Sequence, residues 1–400
     1  MTPHRNQAIL LAALASVTLG ASCSSSSGAA PRATTTPAAP PRSTTTTAPA
    51  APFVGANWQT TTPASVGLDG AELAQISTTA RAGNSHCLDV VRDGKIAYEA
   101  GYGGRTAESV QDIFSATKSI ASVLVGIAQD DGDLKITDRA STYVVEWKGS
   151  PAQAVTIKDL LSMDSGREWS PAIDYVQLLG SADQTAFALG LKQTTAPGTV
   201  WAYNNSAVQT LESVLQKATG VDVAMFAKER LFDPLGMTQT KLGRDRAGNA
   251  QTYEGATSTC RDLARFGQLL LNKGRWGTQQ IVSSAYLHDA TAVSSTHLND
   301  GYGYLFWLNH FGVIDDPLVA TSLKDAASPT RTRGRIATGA PNSMYWVLGL
   351  GNQIVQVDPG SGTVVVRLGT AQARPTPPTF GPEEASKVVT KAILPGRSKG

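Results

Sequence analysis

The tetrapeptide Ser115-Ala116-Thr117-Lys118 constrains this chain more than any other feature. It precedes a segment, Ser119 to Gln129, whose apolar residues have the spacing of one helix face, and Gly132 is the predicted stop. Since residues i and i+3 share a helix face, Lys118 should lie beside the Ser115 hydroxyl. A serine needs an adjacent base to become a nucleophile, and a lysine can serve once burial depresses its pKa. The alternative is an ordinary helix start, with Ser115 as its cap and Lys118 in solvent.

A second element, Tyr203-Asn204-Asn205, lies far downstream. It follows a turn, Pro197-Gly198-Thr199, and precedes a predicted helix from Ser206 to Ala218. A phenol within reach of a lysine ammonium ionises more easily and can relay protons. The alternative is that Tyr203 packs in the core while Asn205 caps the next helix.

These two elements, in this order and 88 residues apart, resemble the motifs of the penicillin-recognising serine hydrolase superfamily. The resemblance runs from about residue 65 to 395 and includes class C β-lactamases, D-alanyl-D-alanine peptidases and related esterases. The Asp-Ser-Gly and Tyr-Asn-Asn sequences are most similar to the corresponding motifs of 6-aminohexanoate-dimer hydrolases. Further segments that match the superfamily are Ile113-Phe114, Thr156 to Gly166, Pro197-Gly198-Thr199, Pro234 to Met237 and Arg261 to Gly267.

The resemblance implies an α/β (α+β) fold, in which an antiparallel β-sheet is flanked by helices and carries an inserted all-helical domain. The sheet part is expected at about 65–132 and 290–395, and the helical insertion at about 133–289. The local patterns agree with this fold, because a helix capped by Asp69 and a hairpin around Asp93-Gly94 open the folded part, and strand patterns return after Tyr302.

The resemblance also implies an acyl-enzyme mechanism. Ser115 is the expected nucleophile, Lys118 and Tyr203 share the role of base, and Asn205 hydrogen-bonds Lys118 or the substrate. The oxyanion hole is expected to use the Ser115 N–H and an N–H of the strand 343–348, with Trp346 as the predicted donor. Tyr175 is a further candidate for substrate binding, and its alternative is a surface aromatic residue.

The third motif of the superfamily departs from its usual form. Counting back from Gly349-Leu350-Gly351-Asn352 places it at Ser343-Met344-Tyr345, where no basic residue occurs. Loss of that cation removes a charge-assisted hydrogen bond to a substrate carboxylate, worth roughly 1.5–3 kcal/mol. The esterase or amidase interpretation is therefore favoured over a β-lactamase or peptidase, unless Arg331, Arg333 or Arg335 supplies the charge.

The N-terminus has the pattern of an export signal. Arg5 precedes an apolar run from Ala8 to Leu19, which is too short to span a bilayer. We expect residues 1–23 to be a signal peptide in which Cys23 is lipidated and becomes a membrane anchor; plain secretion is the alternative. Residues 24–52 consist of Ser, Thr, Ala, Pro and Gly with two arginines, and predict a disordered linker before a hydrolase domain at 53–400.

The remaining cysteines, Cys87 and Cys260, are candidates for a disulfide in an exported protein, or else two buried thiols. No cofactor or metal is expected, because the five histidines show no ligand spacing. The net charge is +2 without a basic stripe, so no nucleic-acid partner is expected. Three functions remain: an exported hydrolase of small esters or amides, a β-lactamase or D-alanyl-D-alanine peptidase, and a non-catalytic wall-associated binding protein.

Overall fold

A six-stranded antiparallel sheet forms the framework of the folded chain, with the strand order β2-β1-β6-β5-β4-β3. Within the described residues it takes no strand from positions 102–306, so the chain leaves the sheet after β2 and returns to it at β3. The strands are β1 (Ser85–Arg92), β2 (Lys95–Gly101), β3 (Trp307–Leu308), β4 (Tyr345–Gly349), β5 (Gln353–Asp358) and β6 (Thr363–Gly369).

The computed structural model describes residue 55, residues 57–315, residue 317, residues 321–322, 331–371 and 379–396. The predicted signal peptide with Cys23 and the predicted linker lie outside these residues and stay predictions. The side chain of Arg331 lies outside them as well.

The described part of the chain contains six helices of eight or more residues. They are α1 (Gly70–Ala82), α2 (Thr117–Asp131), α3 (Asn205–Thr219), α4 (Cys260–Leu271), α5 (Ser284–Thr291) and α6 (Pro382–Thr390). Shorter helices are Ile157–Leu161, Leu178–Gly180, Gln184–Gly190, Val223–Ala227 and Asp233–Leu235, and π-helical turns are Ile173–Gln177 and Lys228–Phe232. None of the described helices combines the length and the apolar character that a membrane crossing requires.

Four two-stranded ladders complete the described secondary structure. Gln111–Asp112 pairs with Thr257–Ser258, Val200–Trp201 with Thr321–Ser322, Gly312–Asp315 with Arg331–Gly334, and Arg275–Trp276 with Gln279–Gln280. The first ladder matters for the site, because it joins the residues just before Ser115 to the segment that precedes α4.

Both faces of the sheet are buried, because side chains alternate across each strand and helices cover each side. Cys87 and Val91 of β1 point to the face covered by α4 and belong to the larger apolar core, which also contains α2 and α3. Leu88 and Val90 point to the other face, where α1 and α6 pack. The predicted α+β architecture with an antiparallel sheet is confirmed.

Local sequence signals explain several element ends. Asp69 accepts hydrogen bonds from the backbone N–H of Ala71 and Glu72 and caps α1. Asp93 and Gly94 both have positive φ, 53° and 73°, as a two-residue hairpin turn requires. The expected strand from Tyr302 is shorter than predicted, because Leu305 has φ 61° and breaks the extended conformation before β3.

Candidate active site

The turn that carries Ser115 is fixed by its backbone conformation and by two hydrogen bonds. Residues 114–116 form one 3₁₀ turn before α2, and Phe114 has φ 49°, a left-handed conformation that is rare for a bulky residue. The Ile113 N–H donates to the Ala256 carbonyl at 3.0 Å, and the Thr117 hydroxyl donates to the Phe114 carbonyl at 2.6 Å. Ser115 is therefore held at the start of α2 without acting as its cap.

Lys118 lies beside Ser115, as the i, i+3 spacing predicts. Its Nζ is 2.9 Å from the Ser115 Oγ and donates to the Tyr253 carbonyl at 2.8 Å. The side chain is 1% exposed, so the alternative of a solvated lysine is wrong. Burial lowers the pKa of Lys118 to about 7, while the carboxylates of Glu254 and Asp174 act in the opposite direction. A substantial fraction of the amine is neutral near pH 7 and able to accept a proton.

Tyr203 completes a three-residue group with Ser115 and Lys118. The Lys118 Nζ lies 4.8 Å from the centroid of its ring. The residue is buried, and burial raises the pKa of its phenol, whereas the neighbouring side chains of Ser115 and Trp307 lower it. The Trp169 indole donates to the Tyr203 carbonyl at 2.9 Å and fixes the backbone.

The residues after Tyr203 differ from the expectation. Asn204, and not Asn205, caps α3 by accepting the Ala207 N–H at 2.8 Å. The prediction that Asn205 bonds Lys118 is wrong in the described part of the chain, because Lys118 binds the Ser115 hydroxyl and the Tyr253 carbonyl. The Asn205 Oδ1 is buried without a hydrogen-bond partner among the described residues, and its assignment to substrate stays a prediction.

A buried carboxylate, Asp174, was not found by sequence reasoning. It accepts hydrogen bonds from the Asn205 N–H, the Ser206 N–H at 3.3 Å and the Ser206 hydroxyl at 2.7 Å. Burial raises its pKa and these hydrogen bonds lower it. Asp174 thus ties the π-helical turn Ile173–Gln177 to the residues that follow Tyr203, and no sequence signal distinguishes it from a surface acid.

Tyr175 follows Asp174 on the same turn. It is 38% exposed, and its phenol lies close enough to Tyr203 to raise the pKa of that residue. The structure therefore brings Tyr175 to the group formed by Ser115, Lys118 and Tyr203, where it stays a predicted substrate contact.

Trp346 does not line this site. Its side chain is fully buried on the sheet face covered by α1 and α6, and its indole donates to the Gln356 side chain at 3.0 Å. Met344 is buried on that face too, so counting back to Ser343-Met344-Tyr345 misplaced the third motif.

Gly349 is the strand residue that touches the nucleophile turn. A Cβ on Gly349 would lie 2.1 Å from the Ile113 carbonyl oxygen and 3.2 Å from the Ala116 nitrogen. The end of β4, three residues beyond Trp346, is therefore the part of the sheet that can complete an oxyanion hole. The glycine-rich turn beginning at Gly349 was the available sequence signal.

The titratable groups that act on the pKa of Lys118 and Tyr203 are the acids Glu254 and Asp174 and the phenol of Tyr175. Arg335 donates instead to the Asn309 carbonyl and the Asn342 side chain, and Arg333 lies over the Phe311 ring. In the described part of the chain, no three His, Cys, Asp or Glu residues are grouped to hold a metal.

A disulfide joins Cys87 of β1 to Cys260, the first residue of α4. The segment that leads into Cys260 contains Tyr253, whose carbonyl accepts from Lys118, and Ala256, whose carbonyl accepts from the Ile113 N–H. The disulfide thus fastens to the sheet the segment that supports the nucleophile turn.

Known proteins share this organisation. Residues 75–388 match the beta-lactamase family. Penicillin-binding protein 4* of Bacillus subtilis is 27% identical over 141 residues, which cover 34% of this chain and 31% of that protein. The chain thus aligns with about a third of that relative's length. The 6-aminohexanoate-dimer hydrolase of Paenarthrobacter ureafaciens is 21% identical over 304 residues, which cover 70% of this chain and 72% of that protein.

Solved structures show the same fold. The Beta-Lactamase/D-Alanine Carboxypeptidase from Pseudomonas syringae superposes with a TM-score of 0.55 at 17% identity, covering 80% of this chain and 98% of that one. The family match spans most of the chain. The chain belongs to the beta-lactamase family.

Proposed function

We propose that this chain is an exported serine hydrolase that forms an acyl-enzyme on Ser115 and cleaves small esters or amides that carry no carboxylate next to the scissile bond. The observation that carries the proposal is the contact between the Ser115 hydroxyl and the buried Lys118 amine, 2.9 Å apart, with Tyr203 beside them. A buried amine with a pKa of about 7 is matched to general-base catalysis near neutral pH.

The reaction starts when the Ser115 Oγ attacks the acyl carbon and passes its proton to the Lys118 Nζ. The carbonyl oxygen becomes an oxyanion and accepts the Ser115 N–H and an N–H at the end of β4 near Gly349. Collapse of the intermediate breaks the bond to the leaving group, which takes a proton from Tyr203, and Tyr203 recovers one from Lys118. Water then attacks the acyl-enzyme with the same groups as bases, which releases the acid and restores Ser115.

The electrostatics of the site support a substrate without a carboxylate. The carboxylates of Glu254 and Asp174 act on Lys118, and that of Asp174 also acts on Tyr203, so these two acids disfavour an anion. A β-lactam or a C-terminal D-alanine carries such a carboxylate, and like charge at short range repels it.

A cell-wall enzyme is the second candidate because of the relatives' names, penicillin-binding protein and beta-lactamase. A non-catalytic binding protein is disfavoured, because Ser115, Lys118 and Tyr203 keep contacts that a binding protein does not need.

The test is hydrolysis of a p-nitrophenyl ester by residues 24–400, compared with the Ser115→Ala variant. Loss of the nucleophile should lower kcat by about 10³-fold or more. Ser119→Ala is the matched control, because Ser119 lies on the same helix but donates to the Leu305 carbonyl. Equal rates for wild type and Ser115→Ala would refute the nucleophile assignment. Turnover of a chromogenic β-lactam faster than any ester would favour the second candidate.

Export rests on the leader and Cys23, and the disulfide is consistent with an oxidising compartment. Expression of the full chain with and without Cys23→Ala tests it. A lipidated protein should move from the membrane fraction to the medium on substitution, whereas recovery of both proteins in the cytosol would refute export.

A further inference from the structure

The turn between β4 and β5 lies against the residues that precede the nucleophile. A Cβ on Gly349, at the start of this turn, would collide with the Ile113 carbonyl oxygen. The Leu350 carbonyl, which is next in the turn, accepts from the side-chain amide of Gln353 at 3.0 Å. Gln353 is fully buried at the first position of β5. Its amide therefore holds the backbone that follows Gly349.

The side-chain amide of Gln353 uses its whole hydrogen-bonding capacity. Its Nε2 donates to the Leu350 and Gly369 carbonyls, both at 3.0 Å. Its Oε1 accepts from the Gly369 N–H at 2.9 Å and from the Gln111 Nε2 at 3.1 Å. An amide has two donor hydrogens and two acceptor lone pairs, so all four are occupied. Because Gly369 supplies both a donor and an acceptor, these contacts fix the orientation of the amide.

The contact with Gln111 extends this network to the nucleophile segment, residues 111–115. Gln111 lies four positions before Ser115, in the ladder that pairs it with Ser258. Its Nε2 also donates to the Gly369 carbonyl at 3.1 Å. One buried amide, that of Gln353, thus binds both the turn after β4 and the segment that ends in the nucleophile.

A second buried side chain, Arg367, holds the same turn from another direction. It donates to the two carbonyls that follow Leu350, at 2.6 and 2.7 Å. It also donates to the Gly83 carbonyl and the Ser85 hydroxyl, next to the start of β1. Arg367 thus ties the turn to β1, whereas Gln353 ties it to the nucleophile segment.

We propose that Gln353 is a positioning residue for the oxyanion hole. Its amide binds Gln111 and the Leu350 carbonyl, and this sets the separation between the Ser115 N–H and the N–H at the end of β4. The inference rests on the proposed function, in which both N–H groups bind the oxyanion. A shift of about 1 Å between them should weaken binding of the oxyanion and leave substrate binding almost unchanged, since the charge develops only in the transition state.

The experiment uses Gln353→Met, which keeps the length of the side chain and removes its four hydrogen bonds. At a temperature where circular dichroism shows the variant folded, we expect kcat for a p-nitrophenyl ester to fall about tenfold or more, with KM little changed. A trifluoromethyl ketone adds reversibly to a serine hydroxyl and places an oxyanion in the hole without turnover. Its inhibition constant should rise by the factor by which kcat/KM falls, because it imitates the transition state.

Gln356→Met is the matched control. Gln356 is a fully buried glutamine on the same strand, but it lies on the opposite face of the sheet, where it accepts from the Trp346 indole at 3.0 Å and donates to the Ala385 carbonyl at 3.3 Å. The thermal midpoints of both variants should fall, because each substitution leaves buried partners unpaired. For Gln356→Met, kcat and the inhibition constant should stay within about twofold of the wild-type values. Equal effects of the two variants on kcat and on the inhibition constant would overturn the proposal.

A double-mutant cycle tests the link between the two segments. Gln111→Met removes the donor to Gln353, so it should lower kcat in the wild type and much less in the Gln353→Met background. The contact of Gln111 with His86 is lost in both backgrounds and cancels in the comparison. An equal loss of kcat in both backgrounds would mean that Gln353 does not act through Gln111, and the proposal would be wrong.

If Gln353→Met does not fold, Gln111→Met replaces it, because the Gln111 side chain is only partly buried. Here kcat should fall, and the inhibition constant should rise, by the same factor of about threefold or more. Unchanged values would overturn the proposal. The proposed function fails separately, because an active Ser115→Ala refutes it, whereas an inactive Ser115→Ala beside an unaffected Gln353→Met refutes only the role of Gln353.

Discussion

The disulfide between Cys87 and Cys260 should contribute a large share of the stability of the folded chain. It closes a loop of 173 residues. The loop-closure relation for a cross-linked unfolded chain gives about 5 kcal/mol at 25 °C for a loop of this length. Since single domains unfold with only 5–15 kcal/mol in total, its removal should strongly weaken the protein.

The perturbation is the double substitution Cys87→Ala and Cys260→Ala. Alanine is preferred to serine, because both cysteines are buried in apolar surroundings where a hydroxyl would lack a partner. We expect the free energy of unfolding to fall by roughly 2–5 kcal/mol, below the loop-closure value if the unfolded chain retains structure.

Equilibrium unfolding in urea measures this change. The midpoint should fall in the double variant, and adding a reductant should change the midpoint of the wild type but not that of the variant. A variant whose free energy of unfolding lies within about 1 kcal/mol of the wild-type value would refute the reasoning.

The location of the disulfide gives a second, local expectation. Cys260 follows the segment whose Tyr253 carbonyl binds the Lys118 amine and whose Ala256 carbonyl binds the Ile113 N–H. Loosening this segment should displace Lys118 before the whole chain unfolds. We therefore expect the variant to lose esterase activity on heating several degrees below its unfolding midpoint, and coincident loss of activity and fold would contradict this part.

Three further predictions follow from single residues. Glu254→Gln removes a carboxylate that raises the pKa of Lys118, so the acid limb of the plot of kcat/KM against pH should move to lower pH. Glu254→Asp keeps the charge and should leave the limb in place. An unmoved limb in Glu254→Gln would contradict the assigned contact. Gly349→Ala places a Cβ 2.1 Å from the Ile113 carbonyl oxygen and should displace the Ser115 turn, which lowers kcat by about tenfold or more. Gly334→Ala is the control, because a Cβ there meets open space, and kcat should not change in the same ester assay. Asp89 is fully buried without a hydrogen-bond partner in the described chain, and burial raises its pKa above the unfolded value. The folded state therefore favours the protonated form, and the free energy of unfolding falls as the pH rises through the folded pKa. The thermal midpoint of Asp89→Asn, relative to that of the wild type, should therefore increase as the pH is raised from 5 to 9. A difference between the two midpoints that does not change with pH would exclude this role for Asp89.

The sequence was sufficient for several features whose physical cause is local. The spacing of Ser115 and Lys118 places both on one turn of helix, and that contact formed as expected. Asp69 and the Asp93-Gly94 pair terminate elements through their own side chains and dihedral angles, so they could be identified without tertiary information. The superfamily resemblance, carried by short motifs in order, predicted the antiparallel sheet and its helices.

The error at Trp346 arose because the prediction depended on register across separate segments. Counting residues back from the glycine turn could not show that Gly349, and not Trp346, meets the Ser115 turn, since a strand alternates its faces and a shift of one residue exchanges them. Choosing Asn205 over Asn204 as the cap was an error of one residue in the helix start, which decides which side chain reaches the Ala207 N–H.

The sequence by itself determined the nucleophile helix, its Ser-x-x-Lys spacing and the fold family of this protein. The tertiary structure alone decided how far the pKa of Lys118 falls, because desolvation depends on every group packed around the amine. It also decided that Asp174, Glu254 and Trp307, which are distant in sequence, surround Lys118 and Tyr203. Long-range packing brings such side chains together, and the pattern of a single segment contains no information about what packs against it.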